Sequence, residues 1–350
     1  MASAASDPAT APAGIDIEPV SRWLAEHIDG AVAPFRFELI AGGRSNLTFR
    51  VTGADGTAIV LRRPPLGHVL ATAHDMAREH RVIAAVGTTG VPVPPALGLC
   101  TDESVNGAPF YVMGYVDGVV LDSVEKAAHL PFGKRREASE HLVDVLADLH
   151  AIDIDAVGLG DFAKREGYVE RQVKRWSTQW ANSKTRELPA IDEVAEKLAK
   201  RLPVQRGVSI AHGDYRFGNC LTDVERARVV AVLDWELCTL GDPLADVGYL
   251  GVYWFDGTAE NVRANDPTSA GGFLSYDEVL ERYATRTGRD LSGIDYYIGF
   301  SCWRLAVISE GVYARYLHGA MGDQEVDIRS FKEGVEALAE RALAAVRRLS

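Results

Sequence analysis

The stretch 209–236 reads SIAHGDYRFGNCLTDVERARVVAVLDWE and places strand signals inside a region of otherwise helical periodicity. Asp214 and Asn219 are separated by four residues, and Asp234 ends the apolar run 229–233. An acid at the end of such a run lies where a buried strand emerges. Because an unpaired buried carboxylate is costly, Asp234 requires a cation. The stretch therefore predicts a polar site on a short hairpin.

The residue types in this hairpin indicate a metal and a proton acceptor. Asn219 and Asp234 offer the hard oxygen ligands that Mg²⁺ takes, with phosphate oxygens and water completing the octahedron. Asp214 lies on the loop that enters the hairpin, where it can accept a proton from an attacking hydroxyl. A base, a metal-binding Asn and a metal-binding Asp form the arrangement used in phosphoryl transfer.

The motif pair HGDYRFGN (212–219) and VLDWELCTLGDPLADVGYL (232–250) resembles the aminoglycoside phosphotransferase and choline kinase-like family. Within that family it is similar to the subgroup associated with acyl-CoA dehydrogenases, over about residues 30–320. The resemblance implies a bilobal, protein-kinase-like α+β fold with a small β-rich N-lobe and a larger, mainly helical C-lobe. It also implies ATP and Mg²⁺ as cofactors and a small-molecule hydroxyl as phosphate acceptor.

The pattern along the chain predicts where the lobes lie. Strand-like alternation fills FELIAGGRSNLTFRV (37–51) and TAIVLRR (57–63), whereas helical spacing dominates after about residue 120. The expected organisation is a disordered tail (1–14), a nucleotide-binding N-lobe (15–113), a hinge (114–118) and a C-lobe (119–350) that carries the catalytic loop, the metal site and acceptor-binding helices.

The third strand supplies a candidate phosphate-binding cation. Residues 59–62 match the kinase V-A-I-K pattern in register, with Arg62 in place of Lys, so Val60 and Arg62 are expected to contact the nucleotide. The planar guanidinium of Arg62 suits bidentate contact with phosphate or carboxylate. Arg63 is a weaker candidate because it faces the other side of the strand.

Glu79 is the expected partner of that cation. Glu79, Val82, Ile83 and Val86 fall at i, i+3, i+4 and i+7 and so share one helix face. A carboxylate on an apolar face needs a partner, and Arg62 is the predicted one. The alternative is a solvated Glu79 with Arg62 pointing outward.

Two further segments are assigned to the nucleotide by resemblance. In GGRSNLTF (42–49), Gly43, Arg44, Ser45 and Asn46 take the place of the glycine-rich loop over the phosphates, although a GG turn alone is typical of any hairpin. In FYVMGYVDG (110–118), a set of three residues is expected at the adenine: Met113 behind it, and the Gly114 carbonyl and Val116 amide at its edge. The alternative for this second segment is an internal strand without a ligand.

Three polar residues are expected to support the loop. His212 is predicted to brace it by hydrogen bonds, the alternative being titration in the mechanism. Asp242 and Asp246 are expected to cap the following helix or hold the catalytic loop, the alternative being a direct metal contact.

Composition limits the function classes. With 37 Lys+Arg against 49 Asp+Glu the net charge is −12, which argues against a nucleic-acid partner. No apolar stretch approaches the ~18 residues of a membrane span. Four widely spaced cysteines and an N-terminus without signal-peptide features predict a cytoplasmic protein.

Two other functions stay open. Arg62 in place of Lys is compatible with a nucleotide-binding module without catalysis. The His-Gly-Asp and Gly-Asn pairs are compatible with a two-metal phosphoesterase, although that site needs more clustered His and Asp ligands. The acceptor, expected to bind on 247–317, could be an aminoglycoside, an amino alcohol, a sugar or a hydroxyacyl compound. The sequence does not give the oligomeric state.

Overall fold

The chain folds into two compact units. The computed structural model describes residues 12–41, 46–66, 75–255, 266–317 and 328–349. One unit comprises Met1–Asp117 with Val230–Glu236, and the other comprises Gly118–Val229 with Leu237–Ser350. The first is built around a sheet and the second is mainly helical, so the predicted α+β class is confirmed.

The first unit is an antiparallel five-stranded sheet with flanking helices. It contains α1 (Ile17–His27), β1 (Arg36–Ala41), β2 (Leu47–Thr52), β3 (Ala58–Arg63), α2 (Met76–Val86), β4 (Ala96–Cys100), α3 (Glu103–Asn106) and β5 (Phe110–Gly114). The strand order is β1-β2-β3-β5-β4. The strand signals predicted within 37–51 correspond to β1 and β2, those at 57–63 correspond to β3, and the predicted helix face that carries Glu79 belongs to α2.

The two faces of this sheet have different roles. Because side chains alternate along a strand, one face is mainly apolar and packs with α1 into a core, with Arg63 at the end of its row on β3. That core includes Leu24, Phe49, Val51, Ile59, Leu61, Phe110 and Val112. On the opposite face the register aligns Thr48, Arg62 and Tyr111 in one row across β2, β3 and β5. The apolar face stabilises the sheet, whereas the side chains of the polar row are available for polar contacts.

The second unit is a helical assembly that holds short strands. It contains α4 (Val124–Ala127), α5 (Arg135–Ala151), α6 (Tyr168–Ser183), α7 (Pro189–Lys200), β6 (Ser209–Ala211), β7 (Cys220–Asp223), β9 (Thr239–Gly241), α8 (Leu244–Val252), α9 (Tyr276–Thr287), α10 (Ile294–Leu317) and α11 (Ile328–Arg347). β8 (Arg228–Val232) begins in this unit and ends in the first. β6 pairs with β9 in antiparallel register. The loop after β6 is thereby anchored beside the segment that leads into α8.

Helix α10 forms the centre of this unit. It packs along α8 and α11 and buries Tyr297, Phe300 and Trp303. The aromatic side chains of 247–317 thus build mainly the core. Among the described helices, none is both long and apolar enough to cross a bilayer.

Candidate active site

Arg62 lies on the polar face of the sheet at the centre of a group of carboxylates. Its Nε donates to Glu79 Oε2 at 3.1 Å, and its Nη2 donates to Asp234 Oδ1 at 2.5 Å. Glu236 Oε2 lies 3.9 Å from the same Nη2, and Thr48 Oγ1 accepts from Nη1 at 3.4 Å. The predicted Arg62–Glu79 pair is therefore present, and the alternative of an outward-pointing Arg62 is wrong.

Glu79 is held in the interior of the first unit by three donors. Besides Arg62, Asn46 Nδ2 donates to Oε1 at 2.8 Å and the Tyr111 hydroxyl donates to Oε2 at 3.1 Å. Glu79 is only 2% exposed, and this burial is the main cause that raises its pKa to about 7. Arg62 lowers the pKa of Glu79, whereas the nearby Asp234 and Glu236 raise it further.

Burial alone would lower the pKa of Arg62, but the surrounding acidic groups raise the pKa above its ordinary value. The guanidinium is thus charged throughout the physiological range. Among the described residues, the carboxylates of Glu79, Asp234 and Glu236 lie within 4 Å of the Arg62 guanidinium.

Asp234 presents its carboxylate from an unusual backbone conformation. Its φ is +65°, a left-handed value that Asp adopts more readily than most residues. Its side chain remains 29% exposed, and only Oδ1 is engaged by Arg62. Residues just C-terminal to β8 therefore offer a carboxylate oxygen to a ligand.

The loop after β6 holds Asp214 in a fixed orientation. Arg216 Nε donates to Oδ1 at 3.3 Å, and Asn219 Nδ2 donates to Oδ2 at 2.7 Å and to the Asp214 carbonyl at 2.8 Å. The side chain is 19% exposed, so it is oriented by its neighbours but still reachable. A carboxylate held in this way suits the acceptance of a proton.

The donor set fits a magnesium ion better than a softer metal. Asn219 uses its amide nitrogen on Asp214, and no hydrogen bond to its side-chain oxygen is found within the described ranges. That oxygen is a hard ligand of the second unit, and the Asp234 carboxylate is one of the first unit. Mg²⁺ needs only one or two protein ligands beside phosphate and water, so each group by itself suits it. The described residues contain no group of three or more His, Cys, Asp or Glu able to hold a metal.

Asp246 fixes the backbone of the catalytic loop. Its Oδ2 accepts from the His212 amide at 2.7 Å, and its Oδ1 accepts from the Gly213 amide at 2.8 Å. His150 Nε2 contacts Oδ2 at 3.2 Å. Burial would raise the pKa of Asp246, but His150, His212 and the Gly213 amide lower it overall, so the carboxylate stays ionised.

His212 and Asp242 have structural partners as well. His212 is fully buried, and its Nδ1 accepts from the Asp214 amide at 3.2 Å. Asp242 accepts from the Leu244 amide in the first turn of α8 and from the Tyr297 hydroxyl. His212 thus hydrogen-bonds within its own loop, and both carboxylate oxygens of Asp242 and of Asp246 accept from protein donors.

The residues expected around the base and phosphates are described in part. Val60 and Met113 pair across β3 and β5 and are both buried. Gly114 ends β5, and within the described residues the Val116 amide has no hydrogen-bond acceptor. Asn46 uses its side chain on Glu79 and, at 3.5 Å, on Glu236. The predicted residues Gly43, Arg44 and Ser45 lie outside the described residues.

Sequence reasoning missed four residues in or next to the site. Tyr111 could have been found from strand alternation, since it lies opposite Arg62 in the register of β5. Arg216, in extended backbone, follows Asp214 by two positions, a spacing that places side chains on the same side of an extended segment. Glu236 lies in a short 3-10 helix, Trp235–Leu237, where this alternation does not hold. Arg304, on α10, carries no local signal.

Comparisons with known proteins identify the family of the chain. The sequence model of the phosphotransferase enzyme family matches residues 36–284. Among curated relatives, acyl-CoA dehydrogenase family member 10 of Mus musculus is 36% identical over 302 residues, covering 85% of this chain and 28% of the relative. Acyl-CoA dehydrogenase family member 11 of Gallus gallus is 36% identical over 319 residues, covering 89% and 40%. The chain therefore spans well under half the length of these relatives.

Solved structures show the same fold. A protein from Ralstonia eutropha, named as a candidate aminoglycoside phosphotransferase, superposes with a TM-score of 0.80 at 32% identity, covering 95% of this chain and 98% of the other. A spectinomycin phosphotransferase in complex with ADP and spectinomycin superposes with a TM-score of 0.61 at 13% identity, covering 93% and 97%. The predicted bilobal, protein-kinase-like fold is confirmed.

Proposed function

Because the chain belongs to the phosphotransferase enzyme family, we propose that it transfers the γ-phosphate of ATP to a hydroxyl group of a small molecule. The observation that carries the proposal is the fixed carboxylate of Asp214, oriented by Asn219 at 2.7 Å and by Arg216 at 3.3 Å. Asp214 accepts the proton of the attacking hydroxyl, which makes that oxygen a better nucleophile.

The first unit supplies the nucleotide-binding groups in this proposal. Arg62 contacts the α- and β-phosphates, and Glu79 orients its guanidinium. The base lies against Val60 and Met113, with its edge at the Gly114 carbonyl and the Val116 amide. Gly43, Arg44, Ser45 and Asn46 cover the phosphates.

Asn219 and Asp234 would hold Mg²⁺, and Asp242 and Asp246 would not. When bound, the ion neutralises charge on the β- and γ-phosphates. The partial exposure of the Asp234 side chain, 29%, supports this assignment, because its carboxylate can still be reached by a ligand.

The test is nucleotide turnover with candidate acceptors. ADP release is measured with MgATP and a panel of aminoglycosides, amino alcohols, sugars and hydroxyacyl compounds. We expect Asp214→Asn to lower kcat by about 10²–10⁴-fold, the usual contribution of a general base. Asp223→Asn is the matched control and should keep the wild-type rate, because the Asp223 carboxylate accepts only from groups of its own turn after β7, the Glu225 and Arg226 amides and the Arg226 guanidinium, among the described residues. An Asp214→Asn variant with the wild-type rate would exclude Asp214 as the base.

A nucleotide-binding module without catalysis is the second candidate. It is favoured by one observation, the engagement of Arg62 with Asp234 at 2.5 Å, because this contact occupies a donor that a phosphate would need. Binding of MgADP by calorimetry, combined with no turnover on any acceptor, would favour the module. Turnover on any one acceptor would exclude the non-catalytic module and support the kinase function.

The cellular location belongs to the same proposal. A kinase that uses ATP requires a compartment that contains it, and we propose the cytoplasm. Fractionation of cells followed by immunodetection of the chain tests this, and recovery in the membrane fraction would contradict it.

A further inference from the structure

Arg304 is a buried cation in the second unit that the mechanism has not used. It lies on α10, 91 residues along the chain from Gly213, and is 5% exposed. No carboxylate within the described residues forms an ion pair with it, and its Nε has no hydrogen-bond partner there. Burying a charge in this way is costly. A leucine at this position would fill the same space at lower cost, so a specific role for the guanidinium is expected.

The polar contact of Arg304 is with the catalytic loop. Its Nη2 donates to the Gly213 carbonyl at 2.6 Å. The guanidinium lies over the ring of Tyr249, 4.4 Å from its centroid, and 5.8 Å from the centroid of Phe300 one turn earlier on α10. A planar cation stacked on an aromatic ring keeps its direction better than a flexible ammonium group does. The two rings therefore aim the donor at one carbonyl.

Gly213 is held from both sides of its backbone. Asp246 Oδ1 accepts from its amide at 2.8 Å, and Arg304 binds its carbonyl. Its φ is +84°, and a Cβ at this position would lie 2.8 Å from the Leu237 carbonyl oxygen. The carbonyl of Gly213 is part of the peptide bond to Asp214. By holding that carbonyl, Arg304 fixes the plane of the peptide and with it the position of the Asp214 backbone nitrogen.

We propose that Arg304 is a positioning residue that fixes the Gly213–Asp214 peptide and thereby aims the Asp214 carboxylate. The inference rests on the proposed function of Asp214 as the base. It assigns the second unit a support on α10 in addition to Asp246 on α8. It also explains why a charge, and not an apolar side chain, occupies this buried position.

Two substitutions and one matched control test the proposal. Arg304→Leu removes the donor and keeps the bulk, and Arg304→Lys restores a positive donor without the planar geometry. Arg135→Leu is the control, because Arg135 Nη1 also donates to a carbonyl at 2.6 Å, that of Ala270, and the guanidinium also lies near an aromatic ring, that of Phe132. Its target is remote in sequence from the catalytic loop.

We expect Arg304→Leu to lower kcat by roughly 10- to 100-fold, the scale of a small misplacement of a catalytic group. The Kd for MgADP should stay within about twofold, since displacement of the loop misaligns a reacting group and does not remove a binding contact. Arg304→Lys should recover part of kcat, and Arg135→Leu should change kcat by less than about twofold, well below the loss expected for a misplaced catalytic group. Equal kcat losses in Arg304→Leu and Arg135→Leu would overturn the proposal.

Amide hydrogen exchange at 212–216 gives a readout that does not require activity. Arg304→Leu should accelerate exchange of the Gly213 and Asp214 amides, and Arg135→Leu should leave it unchanged. Unchanged exchange in Arg304→Leu overturns the proposal even if the wild type is active. Accelerated exchange in a protein that transfers no phosphate to any acceptor would instead show that the function assigned to Asp214 is wrong, while the loop contact stands.

Discussion

At the scale of single residues, the first unit concentrates charge where its sheet is polar. Arg62 is contacted by Glu79 and Asp234 and lies near Glu236. The helix spacing was sufficient to predict that Glu79 is buried, because it shares a face with Val82, Ile83 and Val86. It was not sufficient to predict Glu236, because the contact of that residue with Asn46 joins positions 190 residues apart.

The stability of the chain should depend on pH through Glu79. Because its pKa is raised from an ordinary 4.5 to about 7, the folded state binds more protons than the unfolded state between these values. The free energy of unfolding should therefore fall as the pH rises through this window, and one pKa unit corresponds to about 1.4 kcal/mol. Over this pH window, the change in the free energy of unfolding caused by Glu79 is about 3 kcal/mol.

Urea unfolding at pH 5 and pH 7.5 measures this contribution. Glu79→Gln should flatten the pH dependence, whereas Glu18→Gln, at an exposed carboxylate of α1 in the same unit, should not. A Glu79→Gln variant that keeps the full wild-type slope would show that other groups cause it.

Removing Arg62 should cost far more than removing an exposed arginine. Arg62→Ala leaves Glu79 buried without its cation, and breaking such a pair costs about 3–5 kcal/mol. The pair formed by Arg22 and Glu18 has a similar distance of 3.0 Å but is exposed, so Arg22→Ala should cost less than about 1 kcal/mol.

The double variant Arg62→Ala/Glu79→Gln should recover part of the loss, because no buried charge remains unpaired. Chemical unfolding of the single and double variants gives the coupling free energy. Additive losses in the double variant would contradict a direct Arg62–Glu79 coupling.

At the scale of elements, close approach between helices in the second unit depends on glycine. Gly248 lies on α8 where it meets α10, and a Cβ there would be 2.6 Å from the Tyr297 carbonyl carbon. That contact is with backbone and cannot relax by a side-chain rotation. Gly248→Ala should therefore destabilise the fold by about 1–3 kcal/mol, the usual cost of overpacking.

The same substitution at Gly334, glycine to alanine, should stabilise the fold. Gly334 lies on α11, and a Cβ there would have no atom within 4 Å. Alanine replaces glycine in a helix with a gain of about 0.5–1 kcal/mol. Thermal unfolding of Gly248→Ala and Gly334→Ala measures both changes in stability. Destabilisation by Gly334→Ala would show that tertiary contacts override helix propensity at this position.

At the scale of the whole molecule, sequence periodicity was enough to predict individual strands and helices, but not which segments belong to which unit. The alternation of 57–63 and the helical spacing of α2 predicted β3 and α2 because both patterns are local. The predicted C-lobe, 119–350, is continuous along the chain, whereas the structure assigns Val230–Glu236 to the first unit. That assignment follows from long-range contacts such as Arg62–Asp234, 172 residues apart, which no local pattern encodes.

Nucleotide binding should stabilise the folded chain in a magnesium-dependent way. Any ligand that binds only the folded state adds about 2.7 kcal/mol to the free energy of unfolding at 100 times its Kd. If Asp234 holds the ion, the increment with ADP and Mg²⁺ should exceed that with ADP and EDTA in the wild type. Asp234→Asn should remove the difference while tolerating the left-handed φ of +65°, which Asn also adopts. Asp223→Asn should keep the difference, and an Asp234→Asn variant that keeps it as well would exclude Asp234 as a magnesium ligand.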